Sequence, residues 1–225
     1  LSELRLPAIV VNFKAYREVE GAGSVVIAQA CQEVSESSGI NIIACPPMVE
    51  LGRVAVGSRI PVMAQHVDPK LPGSQTGWVT PQMVRAAGAI GTLLNHSEHR
   101  LPHQEVARTV TACRTAGLLT CVCADTPANS GMMATFGPDM VAVEPPELIG
   151  GDISVTEARP EVVSEAVSAV RSVDAGIPVL CGAGVKTGKD VKKAIDLGAK
   201  GVLLASGVVK AKDPRAAIED LVRLI

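Results

Sequence analysis

Short apolar runs rich in β-branched residues recur along the chain, separated by longer stretches in which apolar residues return every three or four positions. Eight such runs stand out: PAIVVN (7–12), INIIAC (40–45), IPVMAQ (60–65), AIGTLLN (89–95), LLTCVCA (118–124), DMVAVE (139–144), IPVLCG (177–182) and KGVLLA (200–205). Their length and composition predict strands, and their lack of polar alternation predicts a sheet covered on both faces. The intervening EVARTVTACRTAG (105–117), EVVSEAVSAVRSVDAG (161–176) and DVKKAIDLGAKG (190–201) predict amphipathic helices, each ending near a glycine suited to a C-cap. Run starts lie about 20 to 40 residues apart, the spacing of parallel strands joined by crossover helices. Eight regular β–α units can close into a (β/α)8 barrel or open into a doubly wound sheet. The strand count and regularity favour the barrel, an α/β fold in a single domain over residues 1–225. At 225 residues the chain is shorter than the roughly 250 typical of such barrels, so some outer helices are expected to be abbreviated.

Composition narrows the function more than the fold. A net charge of −2 and only 2% aromatic residues offer neither a basic patch nor stacking platforms, which argues against nucleic acid. No run approaches the length of a spanning helix and no charged n-region precedes an apolar segment, so a soluble, cytoplasmic chain is expected. The six cysteines, at 31, 45, 113, 121, 123 and 181, sit mostly in apolar runs without C-x-x-C spacing and read as reduced, buried thiols.

In a barrel of this type the loops after the strands carry the chemistry, and phosphate is often held after strands 7 and 8. The polar residues collect at those positions: NFK (12–14), NHSEHR (95–100), Glu144, CGAGVKTG (181–188) and ASG (205–207). The glycines of GAG (182–184) and ASG each make an ordinary turn by themselves; two such loops in successive units favour an anion held by backbone N–H groups. His96, His99 and His103 have the spacing of one helical face and so raise a metal site, but Pro102 interrupts that face and no acidic or cysteine ligands accompany them. His96 is better placed alone, directly after a strand and at the start of a helical turn. Glu144 ends its run against Pro145 and Pro146, with Gly150 and Gly151 beyond. An isolated strand-end carboxylate most simply pairs with a cation; a stiff hinge followed by permissive glycines instead describes a lid closing beside a base.

VVNFKAY, LLNHSEHR, VAVEPPELIG, VLCGAGVKTG and LLASGVVKAKDP, in this order, resemble the triosephosphate isomerases, in the compact form found in archaea, over essentially the whole chain. The resemblance implies a TIM barrel that interconverts dihydroxyacetone phosphate and D-glyceraldehyde 3-phosphate, a step of glycolysis and gluconeogenesis, with neither metal nor organic cofactor. By motif it makes Glu144 the general base, His96 the electrophile, and Asn12 and Lys14 substrate contacts. It assigns the phosphate to Ile149, Gly150, Gly184, Ala205 and Ser206, with Glu98 and Thr76 as supporting positions. It also implies self-association as a homodimer or, as in archaeal members, a homotetramer, the latter favoured. Two stretches depart from the family pattern: IGGD places Gly151 and Asp152 where the lid commonly reads IGTG, and Trp78 stands where a polar or acidic residue is usual. The competing readings are a different sugar-phosphate barrel enzyme and a barrel that binds a phospho-ligand without turnover.

Overall fold

The computed structural model describes residues 5–148 and 154–225. Each strand is followed by one or two helices. They are β1 (Ala8–Asn12), α1 (Ala22–Ser38), β2 (Asn41–Cys45), α2 (Leu51–Gly57), β3 (Met63–Ala64), α3 (Pro81–Ala86), β4 (Gly91–Leu94), α4 (His103–Ala116), β5 (Leu119–Ala124) and α5 (Pro127–Ala134). They continue with β6 (Met140–Val143), α6 (Val155–Ala158), α7 (Pro160–Val173), β7 (Val179–Cys181), α8 (Gly188–Asp196), β8 (Gly201–Leu204), α9 (Ser206–Val209) and α10 (Pro214–Val222). Each of the eight apolar runs contains one strand. All pairings are parallel, in the order β2-β1-β8-β7-β6-β5-β4-β3. The ring is completed between β2 and β3 by a single parallel bridge, Ala44 to Val62, with Ala44 N–H donating to Pro61 O at 3.0 Å.

The strands show why no polar alternation was visible: both faces are buried, but against different partners. Ile9, Val11, Ile42, Ala44, Leu94 and Val122 pack outward beneath the helices. Val10, Ile43, Cys45, Met63, Leu93, Cys121, Cys123, Met140, Ala142, Leu180 and Leu203 fill the barrel interior. Soft cysteine and methionine side chains thus share a space that branched residues usually dominate. Gly201 permits the tightest seam between strands, because a Cβ there would lie 2.0 Å from Ala8 O.

Local chemistry sets the helix limits. Pro102 precedes α4, which starts two residues earlier than the predicted 105, and Gly117 ends it in the left-handed conformation. The predicted 190–201 helix is shifted: Thr187 and Asp190 form a reciprocal capping box that starts α8 at Gly188, and the turn at Gly198, with φ of 100°, stops it before β8. The predicted 161–176 helix ends at Val173 because Asp174 is extended. Abbreviated helices are present, α6 and α9 having four residues each. Among the described residues, no helix is long and apolar enough to cross a membrane.

Candidate active site

Side chains alternate faces along a strand, so the inward parity of the interior residues extends to the strand ends. Two positions after Val10, Met63, Leu93, Ala142, Leu180 and Leu203 come Asn12, Gln65, Asn95, Glu144, Gly182 and Ala205. A cleft of about 450 Å³, counted with its open mouth, lies over this end of the barrel. It is lined by Asn12, Lys14, Tyr16, His96, Glu144, Gly184, Ala205 and Ser206, among others. The predicted catalytic and phosphate-contact residues that are described, Asn12, Lys14, His96, Glu144, Gly184, Ala205 and Ser206, all line this cleft. Ile149 and Gly150, like Gly151 and Asp152 of the expected lid, lie outside the described residues.

Glu144 and His96 face each other, with 3.6 Å between Glu144 Oε1 and His96 Nε2. That is too long for a direct hydrogen bond. Both are at least nine-tenths buried, at 5% and 7% exposure, and Glu144 Oε2 has no hydrogen-bond partner among the described residues. Glu144 N–H donates to Ala124 O at 2.7 Å and continues the β5–β6 ladder, which fixes the backbone of the carboxylate. Its side chain then passes over Gly182, where a Cβ would come within 2.5 Å of Glu144 Cγ. The glycine is the space in which the acid lies.

His96 opens a hydrogen-bonded turn, His99 N–H to His96 O at 2.8 Å, and this turn is not continued as a helix. Within it Glu98 N–H donates to His96 Nδ1 at 3.2 Å. A ring nitrogen that accepts a backbone N–H is unprotonated, so the proton of the neutral ring sits on Nε2, facing Glu144. Burial works against the imidazolium, but the Glu144 carboxylate beside Nε2 outweighs it, and the net effect raises the pKa above the ordinary histidine value. The Glu98 N–H opposes that rise, since protonation at Nδ1 would break its bond.

Lys14 has a left-handed backbone, φ 50°, and its ammonium meets Glu98 Oε1 at 2.7 Å. Asn12 Oδ1 accepts from Lys14 N–H at 3.0 Å and from Gln65 Nε2 at 3.3 Å. Gln65 also donates to Lys14 O at 3.1 Å and Cys45 O at 3.0 Å, tying three strand ends together. Asn95, with φ of 58°, donates to Cys123 O and accepts from Leu101 N–H, both at 2.9 Å, and so closes the loop that carries His96. Neither Gln65 nor Asn95 was among the predicted site residues; strand parity, counted from one residue known to face inward, would have found both. Lys14, Asn95 and Ala183 are the non-glycine residues with positive φ among those described; Lys14 and Ala183 line the cleft, and Asn95 directly precedes His96, which does. Strain of this kind costs about 1–3 kcal/mol per residue and gathers at functional sites.

Opposite the acid, Ala183 and Gly184 turn left-handed at the end of β7. Ala205 precedes α9, in which Val208 N–H bonds back to Ala205 O at 3.1 Å. The N–H groups of Ser206 and Gly207, having no acceptor within the helix, are directed to its open end. Thr76 lies elsewhere, exposed in the loop after β3, where Lys70 Nζ sits 4.3 Å from the Trp78 ring centroid. The remaining histidines part company with His96: His99 stacks on His66 with centroids 4.2 Å apart, and His103 begins α4 beside Phe136.

The family model described as triosephosphate isomerase matches residues 7–224. This chain belongs to the triosephosphate isomerase family. It is 48% identical over 219 residues to the triosephosphate isomerase of Methanosarcina acetivorans, covering 97% of this chain and 99% of that one. It is also 48% identical over 221 residues to that of Methanopyrus kandleri, covering 97% and 98%. The crystal structure of triosephosphate isomerase from Bartonella henselae superposes with a TM-score of 0.73 at 22% identity, over 95% of this chain and 98% of that one, which shows the shared barrel. As a member of the family the chain is a triose-phosphate isomerase of (β/α)8 fold.

Proposed function

We propose that Glu144, His96, Lys14 and Asn12 carry the interconversion of dihydroxyacetone phosphate and D-glyceraldehyde 3-phosphate in a single domain spanning residues 1–225. The observation that supports this most is the buried pair in the cleft, Glu144 Oε1 and His96 Nε2 at 3.6 Å, a base and a donor that converge on one point at the end of the barrel. A proton beside a ketone leaves only if a base stands at the carbon and a donor stabilises the oxygen as it becomes negative. Glu144 takes the proton from one carbon and returns it to the next. His96 Nε2–H donates to the oxygen. A neutral histidine working with a glutamate base under a closing loop is the established pattern of this family. Substrate binding that draws the Glu144 carboxylate away from Nε2 and toward the reacting carbon weakens its support for the imidazolium, leaving the Glu98 N–H bond to favour the neutral ring. Lys14 and Asn12 draw in the negative substrate. The phosphate rests against Gly184, Ala205 and Ser206, with the backbone of Ile149 and Gly150 closing over it. Exclusion of water by that lid strengthens these interactions and shields the enediolate from side reactions. None of these steps calls for a metal or an organic cofactor.

We propose that the protein is cytoplasmic and self-associates as a homodimer or homotetramer, the tetramer favoured, as the family resemblance of its motifs implies. A coupled isomerase assay on chelator-treated protein, beside Glu144→Gln, tests the assignment: turnover in the first, largely lost in the second, is expected. A folded wild-type protein that binds glycerol 3-phosphate without isomerising triose phosphate would overturn it.

A further inference from the structure

Tyr16 is the single tyrosine of the chain and lines the outer wall of the cleft, two residues beyond Lys14. It is half-buried, and its O accepts from Val19 N–H at 3.2 Å, so the short helical turn at 17–19 anchors its backbone. Over its ring, 4.2 Å from the centroid, lies the ammonium of Lys210. Lys210 immediately follows α9, whose first residue, Ser206, lines the same cleft. An exposed lysine normally sweeps a wide volume. Held against an aromatic face, this one keeps its charge one ring away from the cleft mouth, at the edge where the β1 and β8 loops meet.

We propose that Tyr16 and Lys210 form a charge-holding wall for the substrate phosphate, with Tyr16 as a positioning residue that seats the Lys210 ammonium. This rests on the triose-phosphate reading above, since it assigns the pair to the anionic end of that substrate. Lys14 is committed to Glu98 at 2.7 Å, so the positive potential at the cleft is partly neutralised within it, and Lys210 supplies charge from outside. An ammonium at that remove from a dianion, across screening solvent, is worth about two- to threefold in affinity. It acts on binding and encounter, not on the reacting carbon.

The test compares Lys210→Met, Lys210→Arg, Tyr16→Ala and Tyr16→Phe with wild type, using Lys212→Met as a charge control. Steady-state kinetics are taken from low to high salt, and calorimetric titration with glycerol 3-phosphate reads binding independently of turnover. Lys210→Met should raise KM and weaken glycerol 3-phosphate binding about two- to threefold, leave kcat unchanged, and flatten the fall of kcat/KM with salt. Tyr16→Ala should reproduce those effects, whereas Lys210→Arg, Tyr16→Phe and Lys212→Met should behave as wild type. Unchanged KM and salt dependence in Lys210→Met, or an equal change in Lys212→Met, would overturn the proposal while leaving the isomerase reading intact. An inactive wild type that still binds glycerol 3-phosphate less tightly after Lys210→Met would do the reverse.

Discussion

Replacing Gly182 by alanine should disable the base without disturbing the barrel. The added Cβ would lie 2.5 Å from Glu144 Cγ, 3.0 Å from Oε1 and 3.1 Å from Cδ. Carbon atoms in comfortable contact are about 3.5 Å or more apart, so Glu144 must retreat by about 1 Å. The obstructing atoms belong to a side chain, and Gly182 does not occupy the left-handed region, so the backbone can keep its course. Displacing a catalytic group by about 1 Å costs about a hundredfold in rate, or about 2.7 kcal/mol of barrier. The expected result in the coupled assay is a kcat reduced about a hundredfold. KM should change little, because the predicted phosphate contacts lie on other residues, and the thermal midpoint should fall by no more than about 4 °C. Gly131→Ala is the matched control: it lies inside α5, and its nearest contact to an added Cβ is 3.4 Å. A Gly182→Ala enzyme with kcat within threefold of wild type would refute the argument that this glycine seats the acid.

Glu144→Gln should lower turnover at least a thousandfold and also lower the pKa of His96, readable by NMR, because the carboxylate is what raises it against burial. The associated stability has a definite sign: a raised histidine stabilises the fold below pH ~6.5 and loses that contribution as pH rises through the folded value. Wild type should therefore gain over Glu144→Gln toward acid pH in denaturant titrations, and equal pH slopes would contradict this. All six cysteines are buried, with burial pushing the thiols of Cys31 and Cys113 up to about 12. A thiol reagent at pH 8 should find none in the native protein and six after denaturation, and rapid native labelling would contradict the buried interior. Burial alone would raise Asp125, but its hydrogen bonds from Asn129 and Arg100 prevail and lower it. Its stabilisation is present above the unfolded value of ~3.9 and is lost as pH falls through the lower folded value. Arg100→Met should accordingly cost about 0.5 kcal/mol at pH 7 and less below pH ~3 in urea titrations.

The sequence pattern revealed the number of strands and the ends on which chemistry sits, because four of the eight apolar runs stop abruptly at a polar residue: Asn12, Gln65, Asn95 and Glu144. It did not reveal the roles of Gln65 and Asn95. In a strand buried on both faces, Met63 and Ala64 look equally apolar, and only the assembled barrel shows that Met63 faces inward and so carries Gln65 inward after it. The end of α8 was misplaced for a related reason. Leu197 and Ala199 continue the apolar rhythm of α8 although Gly198 has already turned the chain toward β8. Glu144 was legible by its neighbours, whereas the glycine that gives it room lies 38 positions away, on β7's far end, where spacing along the chain conveys nothing.

The seam between β2 and β3 has a consequence for motion. Most other neighbouring pairs are joined at several positions of their named strands, but these two meet at one bridge that lies outside β3, and β3 has only two residues. Local opening of a fold follows its sparsest hydrogen bonding, so the amide of Ala44, donating to Pro61, should exchange with solvent sooner than those in the centre of β1. Gln65 stands at the end of that short strand, and its amide holds Asn12 and the carbonyl of Lys14. A transient parting of the seam would loosen the substrate-contact side of the cleft while leaving the mounting of Glu144 between β5 and β7 untouched. The two halves of the cleft thus belong to regions of different local stability, and deuterium uptake followed strand by strand would separate them.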